Sequence, residues 1–114
     1  MDPRVEHVAA FIRRNYGRRL TLDEMAGTVN LSRWRLCHLF KSDMGTSPER
    51  YLTSVRLEKA KHLLATEFLT VKEVIHAVGM NDSSYFNRSF KGAFGVTPTQ
   101  WREGKRGHEP TKDR

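Results

Sequence analysis

LTLDEM at residues 20–25 is repeated, with three changes, as LTVKEV at residues 69–74. The same landmarks follow both copies at distances that differ by one residue: Phe40, Lys41, Gly45 and Pro48 after the first, and Phe90, Lys91, Gly95 and Pro98 after the second. The period is about 50 residues, and a chain of 114 residues holds only two such copies. We therefore predict a duplicated helical module rather than a solenoid. The register shifts by one residue within the module, which predicts one extra residue in the turn of the second copy.

Helical periodicity runs through almost the whole chain. Apolar residues recur three or four positions apart, and no segment sustains the strict alternation of a half-buried strand. Residues with oxygen-bearing side chains stand where the predicted helices begin, and such side chains accept hydrogen bonds from the free backbone N–H groups of a first turn. These predicted N-caps are Thr21, Ser32, Ser47, Thr70, Asp82 and Thr97. The sequence thus predicts an all-α fold.

The chain is strongly basic, with a net charge of +7 and a pI of about 10.0. The expected partner is a polyanion, with nucleic acid first and an acidic membrane surface second. The alternative is that the excess of basic residues only keeps the protein soluble. No apolar run reaches the ~18 residues of a membrane span, and residues 1–4 lack the apolar character of a signal peptide, so we expect a cytoplasmic protein with no membrane partner. The one cysteine, Cys37, excludes an internal disulfide and fits a reducing compartment.

Each copy has the plan of a helix-turn-helix, in which a short helix and a turn hold a second helix whose outer face is polar. The predicted core comprises Leu22, Met25, Val29, Leu36, Leu39 and Phe40 in the first copy, and Val71, Val74, Val78, Phe86 and Phe90 in the second. A long helix from Pro48 to about Ala65 should connect the copies. At ~1.5 Å per residue it would be roughly 27 Å long, close to the ~34 Å between successive major-groove faces of DNA. We predict a first helix-turn-helix subdomain over 1–46, a linker helix over 47–66, a second subdomain over 67–104 and a disordered polar tail over 105–114.

The second half of the chain contains several distinctive motifs: RLEKAKHLL at residues 56–64, SYF at 84–86 with Arg88, FGVTP at 94–98, and Trp101-Arg102. Together these motifs resemble those of the AraC/XylS family of bacterial transcription regulators. The resemblance covers residues 5–102 and implies seven helices, two helix-turn-helix subdomains joined by the long helix, and sequence-specific activation of transcription. It also implies that one monomer reads two successive major-groove segments.

The resemblance assigns the base-reading positions to the second helix of each copy. These are Arg33, Trp34, Cys37 and His38 in the first copy, and Ser83, Ser84, Asn87 and Arg88 in the second. Trp34 resembles the tryptophan of some stand-alone members of the Mar/Sox/Rob type. His38, Cys37 and Arg35 depart from commoner residues of the family, so the base preference of the first helix is open.

The chemistry of these side chains supports the assignment independently. Arg88 can fork two hydrogen bonds to guanine O6 and N7, and Asn87 suits adenine. Trp34 would contact a sugar or a thymine methyl, with edge packing against the first helix as its alternative. Lys41, Lys91 and Arg56 are candidate phosphate contacts, although a solvated surface charge is nearly as common a role for a lysine.

Other classes of function find less support in the sequence. None of the five histidines stands in a zinc-ligand motif, and no phosphate loop or catalytic triad is indicated, so we expect no enzyme activity, metal or cofactor. Cys37 could sense oxidation, but reactivity requires a lowered thiol pKa, and an inert thiol is the simpler reading. A non-specific architectural nucleic-acid binder and an interaction module that recruits RNA polymerase stay open as alternatives. We expect the chain to be a monomer.

Overall fold

The computed structural model describes residues 1–66 and 68–105, and within these residues it contains seven α-helices and no strand. They are α1 (Pro3–Asn15), α2 (Leu22–Gly27), α3 (Arg33–Met44), α4 (Pro48–Leu64), α5 (Val71–Ala77), α6 (Ser83–Phe94) and α7 (Pro98–Lys105). The all-α prediction is confirmed. The predicted tail over 105–114 begins one residue too early, because Lys105 belongs to α7; the rest of that range lies outside the described residues. No helix in the described part of the chain is long and apolar enough to cross a membrane.

Side-chain caps begin the helices where the sequence predicts them. The hydroxyl oxygens of Thr21, Ser32 and Ser47 accept hydrogen bonds of 3.0–3.1 Å from backbone N–H groups three residues later. Thr70 forms a complete capping box with Glu73, in which each side chain accepts from the other residue's backbone N–H. These bonds satisfy donors that an α-helix leaves free in its first turn, so the local sequence fixes where each helix starts.

The turn of each helix-turn-helix contains one residue with a positive φ, Asn30 at 58° and Gly79 at 85°. Glycine has no β-carbon to clash in this left-handed region, and asparagine is among the few other residues that enter it readily. Ser32, the next N-cap, follows Asn30 after one intervening residue, whereas Asp82 follows Gly79 after two. The second copy therefore carries its extra residue in the turn, as the sequence predicts.

The chain forms two compact units, and the boundary between them falls within α4, between Val55 and Arg56. In the first unit, α1, α2, α3 and the start of α4 share one apolar core. Its buried members are Val5, Val8, Ala9, Ile12, Met25, Ala26, Leu36, Phe40 and Leu52. The predicted core residues Leu22, Val29 and Leu39 are only partly buried at its edge. Val29 lies beyond α2, which ends at Gly27.

The second unit has a core of its own, formed by α5, α6 and the end of α4. Its buried members are Leu57, Ala60, Leu64, Val74, Ile75, Val78, Met80, Phe86 and Phe90. The rings of Phe86 and Phe90 have centroids 5.8 Å apart, and Phe94 meets Phe90 edge-on at 4.7 Å. The predicted core of this copy is confirmed except at Val71, which is partly buried.

Two side chains of α7 satisfy the free carbonyl groups at the end of α4. The Trp101 Nε1–H donates to the Lys61 carbonyl at 2.9 Å, and the Arg102 Nε–H donates to the Leu64 carbonyl at 3.0 Å. Arg102 also donates to the carbonyl of Leu69 in the segment before α5. The last carbonyls of a helix have no partner within it, so these long-range bonds anchor both the end of α4 and the following segment within the second unit.

Truncation of a core ring tests this packing. Phe90→Ala should lower the free energy of unfolding by about 3–5 kcal/mol, because it removes a fully buried ring that contacts two other aromatic rings. Arg88→Ala, on the exposed side of the same helix, is the matched control and should change it by less than about 0.5 kcal/mol. Urea unfolding followed by circular dichroism measures both, and equal losses would contradict the assigned core.

Candidate nucleic-acid interface

Helix α3 turns one apolar edge to the core and exposes a polar face. Leu36 and Phe40, one helical turn apart, are fully buried. The exposed side chains of α3 include those of Arg33, Trp34, Arg35, His38 and Lys41, followed by Ser42 and Asp43 near the end of the helix, and Cys37 is partly buried beside them. The structure therefore gathers the five residues that the sequence assigns to DNA on the first unit, Arg33, Trp34, Cys37, His38 and Lys41, along one helix.

Helix α6 repeats this arrangement in the second unit. Phe86 and Phe90 are buried at the positions equivalent to Leu36 and Phe40. The predicted contacts Ser83, Ser84, Asn87, Arg88 and Lys91 are all exposed on the remaining surface of the helix. None of these five side chains is used in the core, so all are available to a ligand.

Arg56 is the one predicted contact that lies on neither of these helices. It belongs to α4 and is partly buried, and burial lowers the pKa of its guanidinium below the usual value. Its contact with a phosphate stays a prediction.

An exposed aromatic pair stands on the outer face of α3. Trp34 and His38 are one turn apart, and their ring centroids are 4.0 Å apart at an angle of 42°. Trp34 is 66% exposed, so its ring rests on His38 rather than being packed away against α1. The pair presents two exposed aromatic rings, tilted against each other, beside the charged groups of the same face.

Arg33, the first residue of α3, forms an ion pair with Asp23 in the first turn of α2. The Arg33 Nε lies 3.1 Å from the Asp23 Oδ1, and both side chains are largely exposed. This contact links the two helices of the first helix-turn-helix at their outer surface.

A shallow hollow adjoins the outer face of α3, and Cys37, His38, Lys41, Ser42 and Ser47 line it. Ser47, which caps the start of α4, thus lies on the same hollow as the side chains of His38 and Lys41. In the described part of the chain, no three His, Cys, Asp or Glu side chains are grouped so that they could hold a metal ion.

Two exposed residues of this surface were not assigned a role from the sequence. Arg35 and Tyr85 are each the third residue of their helix, at equivalent points of the repeat. Tyr85 is 43% exposed although it is a large aromatic residue. The signal in the sequence is the repeat itself, since the third residue of the second helix in both copies is one whose side chain can contact DNA.

Known proteins with the same architecture identify its family. The sequence model of a protein family described as a helix-turn-helix domain matches residues 25–104 of the chain. The C-terminal domain of AraT, a response regulator from Geobacillus stearothermophilus, is 32% identical with a TM-score of 0.86, and the alignment covers 99% of this chain and 94% of that one. A transcriptional regulator with an AraC-type DNA-binding domain from Chromobacterium violaceum is 27% identical with a TM-score of 0.84, covering 92% and 94% of the two chains.

Among curated proteins, the lactose operon transcription activator of Staphylococcus xylosus is 32% identical over 98 residues, which are 86% of this chain and 35% of the activator. The chain spans about a third of the length of the curated relatives it matches. The similarity covers both helix-turn-helix units and the helix between them. The chain therefore belongs to the AraC-type helix-turn-helix DNA-binding domains.

Proposed function

We propose that this chain is a sequence-specific, double-stranded DNA-binding transcription regulator that acts as an activator. The observation that carries the proposal is the repeated exposure pattern of α3 and α6. Each helix buries two apolar residues one turn apart and leaves every candidate base contact on its outer face accessible or partly accessible. A helix held in this way can enter a major groove, where base edges present distinct patterns of donors and acceptors.

In this proposal, α3 and α6 enter successive major-groove segments of one duplex. Arg88 forks two hydrogen bonds to a guanine, and Asn87 pairs with an adenine beside it. Trp34, whose exposed ring lies against His38, offers an aromatic surface to a thymine methyl or a sugar. The other proposed base contacts are Arg33, Cys37, Ser83 and Ser84.

Phosphate contacts would fix the position of these helices on the duplex. Lys41 and Lys91 are suited to this role because each stands exposed in the last turns of its recognition helix. Arg56 is the third candidate. As an activator, the chain would act in the cytoplasm as a monomer, with RNA polymerase as a further partner and no catalytic activity of its own.

A salt titration with two kinds of DNA tests the proposal. An activator should bind a selected site at least ~10³ times more tightly than random DNA, and both affinities should fall steeply with salt because counterions are released. An architectural binder would show the steep salt dependence without the preference. An interaction module would bind neither DNA appreciably. Fluorescence anisotropy with labelled duplexes measures both affinities.

Two substitutions on α6 separate base reading from phosphate binding. Arg88→Ala should relax the preference at one base pair by about 1–3 kcal/mol, because the bidentate guanine contact is lost. Lys91→Ala should instead weaken binding to all DNA sequences alike, and it should reduce the magnitude of the slope of log K against log salt concentration by about 1. If Arg88→Ala binds the selected site as tightly as the unmodified chain, then α6 does not read bases through Arg88.

A further inference from the structure

We propose that Asp23 is a positioning residue that holds Arg33 in the orientation from which it reads a base. The inference rests on the proposed function of α3 as a recognition helix. Arg33 opens α3, and the first residues of a recognition helix are those that contact base edges. Asp23 belongs to a different helix, α2, and its carboxylate approaches the guanidinium to 3.1 Å.

An arginine at this position needs such support. Its side chain has many rotamers, and fixing one of them on a base carries an entropic penalty. A contact already present in the free protein removes part of that penalty before DNA binds. Helices α2 and α3 share a buried core, so the backbone that carries Asp23 is held in a fixed place relative to Arg33.

The geometry of the pair leaves the base-reading edge of Arg33 accessible. The closest approach to Asp23 is through Nε rather than through either terminal nitrogen. The Arg33 side chain stays 65% exposed while it is paired. A guanidinium carries five N–H donors in a rigid fork, so a carboxylate beside Nε leaves enough donors for guanine O6 and N7.

A purely stabilising role explains this pair poorly. The side chain of Asp23 is 77% exposed, and ion pairs so open to water contribute little to the stability of a free protein. A carboxylate near DNA also repels phosphates, which lowers affinity for every sequence. If Asp23 positions Arg33, this loss of affinity is accompanied by a gain, because discrimination between bases increases.

The repeat itself provides an internal comparison. Asp23 is the second residue of α2, and the second residue of α5 is Lys72. Arg33 is the first residue of α3, and the first residue of α6 is Ser83. The acid and the arginine are thus both absent from the second copy, where a serine at the start of the helix has no guanidinium to orient.

Asp23→Ala tests the inference, with Glu49→Ala as the matched control. Glu49 also lies in the first turn of a helix of the first unit, and its removal changes the net charge equally. Alanine is the best helix former, and thermal unfolding checks that both variants fold. Affinities are measured for the selected site, for its single-base variants and for random DNA.

Asp23→Ala should have two effects of opposite sign. Binding to random DNA should tighten by about two- to threefold, because a negative charge is removed. The preference for the correct base at one base pair should fall by about two- to fivefold, which is the size of effect that the loss of an exposed ion pair allows. Glu49→Ala should leave that preference unchanged. In an Arg33→Ala background, Asp23→Ala should have no further effect on the preference.

Two results would overturn the inference alone. One is a preference unchanged by Asp23→Ala. The other is a preference increased by it, which would mean that the ion pair withholds Arg33 from DNA. A wild-type chain that selects no sequence at all would overturn the proposed function and this inference with it.

Discussion

Burial of two apolar side chains one helical turn apart fixes each recognition helix in its unit. Leu36 and Phe40 do this for α3, and Phe86 and Phe90 do it for α6, and all four are fully buried. Removing such side chains from water is the main favourable contribution to folding, and close packing restricts each helix to one orientation. Apart from the exposed ion pair between Arg33 and Asp23, the outer faces take no part in this anchoring. Their residues can therefore differ between the two copies without loss of the fold.

The residues on the outer face do differ between α3 and α6. The first outer face combines arginine, tryptophan, cysteine and histidine, together with an ion pair from α2 to α3. The second consists of two serines, an asparagine and an arginine. Hydroxyls, amides and guanidinium groups form different hydrogen bonds with base edges, so the two helices are suited to different sequences. The duplicated scaffold thus carries outer faces of different chemistry on α3 and α6.

Local features of the fold could be predicted because they depend on neighbours in the sequence. Thr21, Ser32 and Thr70 cap the helices where predicted, and the extra residue falls in the second turn. The glycine at position 45 takes a positive φ of 77° and closes α3 after Met44, which is again a local feature. The Arg33–Asp23 pair and the bonds from Arg102 to two carbonyls could not be predicted, because they join segments whose approach is set by tertiary packing.

Selection of bound sites from a pool of random duplexes tests the central claim most directly. Two unlike recognition helices in one chain should select a non-palindromic site, with two different preferred segments centred about one helical turn apart. A palindromic site would show instead that two chains bind with the same helix, and its recovery would contradict the assignment of α3 and α6 as two distinct readers.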